Sequence, residues 1–200
     1  PGSYSVVVTN TVSGCATTIG SNVVDVSLDN TIPVITLSST TNDDTITCIN
    51  PSVNVTPTVT PNSNVTYTWS AGPGISTPIN QANATFTALG VYTLAVTNTL
   101  TGCVNTTTNS ANTFTVYENI ITPTIVATTT SSNTVIGCAN TVVSFSANVN
   151  ANSTNLTYTW NPGGANTSTV DINTAGIYDV TVMDAVNGCT STAQFTVTGN

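Results

Sequence analysis

Five cysteines, Cys15, Cys48, Cys103, Cys138 and Cys189, are the residues of this 200-residue chain best suited to covalent or metal chemistry. Thiolates bind zinc, turn over in redox reactions or close disulfides. The first two roles favour closely spaced pairs, often with histidine. Here there is no His and no C-x-x-C, and the nearest two cysteines are 33 residues apart. Disulfides are therefore expected, which places the chain outside the reducing cytosol.

Other chemistries have fewer residues to draw on. The chain has no Lys, Arg or His and eight acids, for a net charge of -8. No cationic base or oxyanion holder exists, so only carboxylates remain for catalysis. Two carboxylates suffice for a glycosidase, yet the acids are scattered. Asp43-Asp44 is the sole close pair, in a predicted turn where Asp is common. The chain is read as a non-enzyme with no cofactor. Calcium would suit Asp25, Asp29, Asp43 and Asp44. However, only Glu118 lies near the equivalent place one repeat later, and a site that served the architecture would recur. These acids read as turn and solvated residues, and no metal is assigned. Without cations, nucleic acid is excluded as a partner. So is direct attraction to anionic lipid, leaving a membrane only through a distant anchor. No side-chain salt bridge can form, and stability must come from apolar burial, backbone ladders and covalent links.

The elements that position the cysteines are extended. Hydrophobic content is 39% and charge 4%, the reverse of a disordered composition. Runs such as Thr56-Pro57-Thr58-Val59-Thr60 and Asn83-Ala84-Thr85-Phe86-Thr87 alternate with period two, which puts Thr on one face and apolar residues on the other. No helical periodicity and no transmembrane run occur.

The chain also repeats. Cys48, Trp69, Tyr92 and Cys103 return as Cys138, Trp160, Tyr178 and Cys189 after 86 to 91 positions, and Tyr4 and Cys15 are the tail of an earlier copy. Such a period means tandem domains. Pro33 and Pro123 follow the last strand of a copy and suit linkers. The boundaries fall near 31 and 120: residues 1–31 are the C-terminal part of a truncated repeat, 32–120 a complete one and 121–200 a third. The chain opens inside a repeat, so a longer parent chain is expected. In the middle copy the alternation predicts strands at 33–39, 45–49, 53–60, 64–70, 83–88, 91–98 and 111–117. Turn signals between them include Asn42-Asp43-Asp44 and Leu100-Thr101-Gly102. The fold expected is all-β: tandem immunoglobulin-like β-sandwich domains in an elongated array. Trp69, Trp160, Tyr92 and Tyr178 are expected as core anchors. A sugar-stacking platform is the alternative for the tryptophans.

Two disulfide patterns fit the periodicity equally. Within domains, Cys48 would pair with Cys103 and Cys138 with Cys189, leaving Cys15 for a residue outside the sequence. Between domains, Cys15 would pair with Cys48 and Cys103 with Cys138. The second pattern joins loops expected at remote ends of neighbouring sandwiches. The first raises a milder form of the same difficulty, because Cys48 precedes the second main strand. The within-domain pattern is the expectation.

Gly90-Val91-Tyr92-Thr93-Leu94-Ala95-Val96-Thr97-Asn98 followed by Gly102-Cys103, and Gly176-Ile177-Tyr178-Asp179-Val180-Thr181-Val182-Met183-Asp184 followed by Gly188-Cys189, resemble PKD-type (polycystic-kidney-disease-type) immunoglobulin-like repeats. More narrowly, they are similar to repeats of giant surface adhesins of the Bacteroidota, including gliding-motility adhesins. Such repeats typically carry an acidic Trp-Asp-Phe-Gly-Asp-Gly segment, whereas here Ser70-Ala71-Gly72-Pro73 and Asn161-Pro162-Gly163-Gly164 follow the tryptophans. The resemblance implies a secreted, bacterial cell-surface array whose partners are neighbouring repeats of the same chain, and surface glycans or other cells. Asp44-Thr45-Ile46 resembles the Asp-Ser/Thr-apolar O-glycosylation motif of Bacteroidota secreted proteins, making Thr45 a candidate. N-x-S/T sequons occur at Asn54, Asn64, Asn83, Asn105, Asn152, Asn155 and Asn166, many of them expected by chance in so Asn- and Thr-rich a chain. A structural stalk is the leading functional expectation. A glycan- or protein-binding module using loops 71–79 and 161–168 is one alternative. A self-assembling filament in which 1–31 adds a strand to a neighbour is another.

Overall fold

The computed structural model describes residues 1–17, 23–39, 43–70, 72–105, 112–129, 133–150 and 154–200. Among them every regular element is a strand. Strands β1 (Gly2–Ser5) and β2 (Val23–Val26) form an antiparallel pair with Gly2 opposite Val26, and both are exposed throughout. The strand-addition idea for 1–31 thus meets two strands already paired with each other.

The middle repeat runs through β3 (Val34–Ser39), β4 (Thr45–Thr47), β5 (Val53–Thr60), β6 (Val65–Trp69), β7 (Ala84–Phe86), β8 (Gly90–Asn98), β9 (Val104–Asn105) and β10 (Thr113–Asn119). One sheet has the order β3-β5-β7, and the other β4-β10-β8-β6 with β9 against β8. The first strand of the sandwich is split. Its early part, β3, runs antiparallel to β5, and its later part, β4, runs parallel to the end of β10. That pairing of two sheets is the immunoglobulin-like arrangement. The last repeat reproduces it with β11 (Thr124–Thr129), β12 (Val135–Ile136), β13 (Val143–Asn150), β14 (Leu156–Asn161), β15 (Thr169–Ile172), β16 (Gly176–Asp184) and β17 (Thr190–Gly199). Its sheets are β11-β13-β15 and β12-β17-β16-β14. The chain is therefore a tandem of immunoglobulin-like β-sandwiches.

The cores follow from the alternation. In β8, Tyr92, Leu94 and Val96 face inward and are buried, while Val91 and Thr93 do not. In β16, Val180 and Val182 do the same. Trp69 is 1% exposed, packs edge-on against Phe86 at 5.5 Å and donates from Nε1 to Gln81 O and Ala82 O. Trp160, also 1% exposed, lies 5.5 Å from Phe195 and donates to Thr167 O. Both indoles are thus enclosed, with no face free for sugar. Tyr92 is buried and its hydroxyl donates to Ala88 O and Pro73 O. Tyr178 is only half-buried, and its hydroxyl donates to Thr174 O. The bond four residues back is common to both, as in the tyrosine corner of immunoglobulin-like domains.

Candidate functional site: the joint between repeats

The turn that carries each Gly-Cys is built the same way three times. Its sequences are Asn10-Thr11-Val12-Ser13-Gly14-Cys15, Asn98-Thr99-Leu100-Thr101-Gly102-Cys103 and Asp184-Ala185-Val186-Asn187-Gly188-Cys189. The first residue closes the turn with its backbone. Asn98 N donates to Cys103 O and Gly102 N to Asn98 O, with the same two bonds at Asn10/Cys15/Gly14 and Asp184/Cys189/Gly188. Its side chain caps the turn: Asn10 Oδ1 accepts from Val12 N, Asn98 Oδ1 from Leu100 N and Asp184 Oδ1 from Val186 N. The fourth residue holds the cysteine, as Cys15 N donates to Ser13 Oγ, Cys103 N to Thr101 Oγ1 and Cys189 N to Asn187 Oδ1. The glycine has φ of +71 to +72° in all three, a left-handed backbone that disfavours any Cβ.

This turn clasps the incoming linker. In the middle repeat, Asn98 Nδ2 and Thr101 Oγ1 both donate to Thr31 O, and Asn105 Nδ2 donates to Pro33 O at 2.9 Å. In the last repeat, Asn187 Nδ2 donates to Ile121 O at 2.9 Å and Ser191 Oγ to Pro123 O. The two linkers thus offer equivalent carbonyls to equivalent turns. Asn187 is 1% exposed and also donates to Asn119 Oδ1, at the end of β10 in the preceding repeat. Ile49 N of that repeat donates to Asn187 O at 3.3 Å.

A covalent bond completes the joint. Cys48 and Cys189 form a disulfide with Cα atoms 5.1 Å apart, linking the middle repeat to the last. This corrects the expected Cys48–Cys103 and Cys138–Cys189 pairs, and it is not the Cys15–Cys48 and Cys103–Cys138 alternative either. Cys15, Cys103 and Cys138 carry free thiols. The physical reason is position along the sandwich. Cys48 follows β4, which runs beside the exit end of β10. Cys103 sits in the turn after β8, at the entry end beside Pro33. The nine residues of β8 hold the two cysteines about 30 Å apart. A cysteine at the exit end of one repeat meets the turn at the entry end of the next. The sequence motif includes Asn98 and Asp184 along with the Gly-Cys pair, but nothing in the sequence alone gives the Asn or Asp five residues before each cysteine its role as the turn's cap. That spacing, identical in three copies, was the only available signal.

The remaining candidates are dispersed. Asp25 accepts from Ser3 Oγ, and Asp29 Oδ1 accepts from Thr31 N and Oγ1. The Thr31 bonds hold the Asp29 carboxyl below its ordinary value. Asp43 Oδ1 accepts from Thr45 N and Asp44 Oδ1 from Thr45 Oγ1. Strand β3 lies between the two groups of acids, so the four are not brought together, and among the described residues no group of three metal-ligating side chains occurs. Thr45 is half-buried in β4. Asn105 spends its amide nitrogen on Pro33 O, while its Oδ1 is buried without a partner among the described residues. Asn54, Asn64, Asn83, Asn155 and Asn166 are exposed. Asn42, Ala71 and Asn152 lie outside the described residues. No helix is long and apolar enough to cross a membrane among the described residues.

No family model matches the chain, and no curated protein sequence does. Solved structures are similar in fold. The three N-terminal domains of the highly immunogenic outer capsid protein of bacteriophage RB49 are 21% identical with a TM-score of 0.40, over 84% of this chain and 59% of that one. A C-terminal 282-residue fragment of intimin, solved with the intimin-binding domain of the translocated intimin receptor, is 16% identical with a TM-score of 0.42, over 82% of this chain and 64% of that one. The N-terminal four Ig domains of Dscam1 isoform 6.44 are 10% identical with a TM-score of 0.30, over 85% and 52%. The chain thus covers less than two thirds of each of these structures.

Proposed function

We propose that this chain is a stalk segment of a secreted bacterial surface adhesin of the PKD-type array kind, with units at 1–31, 32–120 and 121–200. The observation that carries the reading is the Cys48–Cys189 disulfide across the joint, together with a linker clasp built twice from equivalent positions, Thr101 and Asn105 in one repeat and Asn187 and Ser191 in the next. A disulfide persists outside the cytosol, in keeping with a surface location. Two sandwiches held by a cystine, a buried amide and a short Pro-containing linker resist bending at the joint. Each unit is a spacer of roughly 35–45 Å, from strands of 7 to 10 residues at about 3.3 Å each plus loops. Function then lies in length and stiffness. Sugar on Thr45 would help to solubilise so uncharged a surface.

Small-angle scattering of the chain with and without reductant tests this. The oxidised chain should be elongated and narrow in its distance distribution, and reduction should broaden that distribution. An oxidised chain that scatters as a sphere, or a profile indifferent to both reduction and Cys48→Ser, overturns the stalk reading. The binding-module alternative places its ligand in the groove lined by Pro162, Gly163, Ala165 and Tyr178, and retention on a glycan array, lost with Tyr178→Ala, would favour it.

A further inference from the structure

The exit end of the last repeat rebuilds the face that receives the Gly-Cys turn at the observed joint. Cys138 stands where Cys48 does, three residues after the first paired residue of the short parallel strand (Val135 and Thr45): β12 runs beside the end of β17 as β4 runs beside the end of β10. Gly137 N donates to Asn140 O as Thr47 N donates to Asn50 O. Asn200 occupies the place of Asn119. Thr198 pairs with Val135 as Tyr117 pairs with Thr45, two residues earlier in each case. Asn200 N donates to Ile136 O, and its side chain lies over Gly137. Cys138 is exposed and carries a free thiol beside a shallow cleft that Asn133, Asn140 and Asn200 also line. At the joint, Asn119 accepts the amide of Asn187 and Cys48 bonds Cys189. The same two functions, an amide acceptor and a thiol, are therefore presented again, with no partner at either among the described residues.

We infer that this face docks a further repeat of the same kind through its Asn/Asp-x-x-Ser/Thr/Asn-Gly-Cys turn, with Cys138 bonded to that turn's cysteine and Asn200 accepting from the residue two before it. The inference extends the joint on which the proposed function rests: first cysteine of one repeat to second cysteine of the next, along the array. By the same rule Cys103 is the acceptor for the first cysteine of a preceding repeat. The bond forms by exchange with a disulfide donor. The Cys138 thiolate attacks the donor's S–S bond, giving a mixed disulfide and one donor thiol. The partner cysteine's thiolate then displaces the second donor thiol. Two cysteine thiols are oxidised, one donor disulfide is reduced to two thiols, and the two protons pass to those thiols.

The test lengthens the full chain by one repeat: residues 1–200 followed by a second copy of 120–200 that carries Cys138→Ser, so that one Cys138 remains, and Thr192→Ser, which marks the mass of its Cys189 peptide; the Asn200–Ile120 step then copies Asn119–Ile120. After refolding with glutathione disulfide as donor, non-reduced peptides are mapped by mass spectrometry. The expected bonds are Cys48–Cys189 and Cys138 to the Cys189 of the added copy. Alkylation of Cys138 should fall at least tenfold relative to the 200-residue chain. Asn200→Ala should slow closure of the second bond and leave the first unchanged. A closed Cys48–Cys189 with Cys138 still alkylated, or bonded within its own repeat, overturns the inference and leaves the observed joint intact. Absence of Cys48–Cys189 as well overturns both.

Discussion

Replacing Gly188 by alanine separates a packed joint from a merely tethered one. Gly188 has φ +71°, and a Cβ there would fall 1.9 Å from Ile49 Cγ1 and 2.5 Å from Ile49 Cδ1, across the joint. Gly102 holds the same place one repeat earlier at φ +72°, where a Cβ meets nothing within 4 Å. Both substitutions therefore carry the same backbone cost, about 1–2 kcal/mol for an L-residue in the left-handed region. Only Gly188→Ala adds the collision. The Ile49 backbone is held, because its N–H donates to Asn187 O and its neighbour Cys48 is bonded to Cys189, so relief must come from rotating Cγ1 and Cδ1 aside, with Ile49 Cβ still 3.2 Å away. Overpacking of this kind adds about 1–3 kcal/mol. Gly188→Ala should thus cost about 2–5 kcal/mol and Gly102→Ala about 1–2 kcal/mol. Each full repeat has one tryptophan, so urea unfolding followed by fluorescence reads the last repeat in a Trp69→Phe background and the middle one in Trp160→Phe. With a slope of about 1–3 kcal/mol per molar urea, the extra loss is of the order of 1 M in midpoint. Ile49→Ala removes the colliding atoms and should recover most of that extra loss. Equal costs at the two glycines, or no recovery with Ile49→Ala, would refute the reasoning.

Three further outcomes are expected. Tyr92→Phe removes a buried hydroxyl whose single proton is shared between Ala88 O and Pro73 O, whereas Tyr178→Phe removes a half-buried hydroxyl that donates to Thr174 O, so the first should cost about 1–3 kcal/mol and the second about 0.5–1.5 kcal/mol in urea unfolding. Burial also holds the Tyr92 hydroxyl above its ordinary value of 10.0. The unfolded chain ionises first, so this stabilisation is full below about pH 10 and is lost as pH rises further. Tyr92→Phe should flatten the alkaline fall in the middle repeat's midpoint, and an unchanged slope would contradict it. At the other extreme, Asp29 is held below its ordinary 3.8 by the Thr31 hydroxyl and amide, so its bonds are present above that value and fail as pH falls through the lowered one. The Thr31 amide resonance should titrate with a midpoint under 3.8, and Thr31→Val should move the Asp29 carboxyl resonance back toward that value.

Much of the sandwich was legible because period-two alternation answers directly to the pleat. Val53–Thr60 reads as a strand in sequence and is one, and the alternation that buries Leu94 and Val96 is visible in their neighbours. Short elements were not legible. Strand β9 has two residues, too few to show any period. The alternation ends the last strand of the middle repeat at 117, whereas β10 continues to Asn119 because β4 pairs with its final residues. The polar residues inward on β8 and β16 were also opaque. Asn98 and Asp184 are buried at positions that alternation assigns to apolar side chains, because backbone N–H groups of the turn satisfy them. Cysteine pairing was the hardest. A period near 90 maps every first cysteine onto the next and is blind to which end of the sandwich each one occupies. Only the sheet order, with β4 beside the exit of β10 and Cys103 beside the entry linker, decides that Cys48 reaches forward to Cys189.

The single cystine has a mechanical meaning as well. It spans a sequence separation of 141 residues. Pulled from its two termini, the chain transmits tension directly from position 48 to position 189 and leaves everything between as a slack loop. Such a loop hides about 470–510 Å of contour, at 3.3–3.6 Å per residue. A break in the backbone anywhere inside it, made by a protease or by hydrolysis, would leave the two flanking ends covalently attached, so a rope of this weave survives the cutting of one strand.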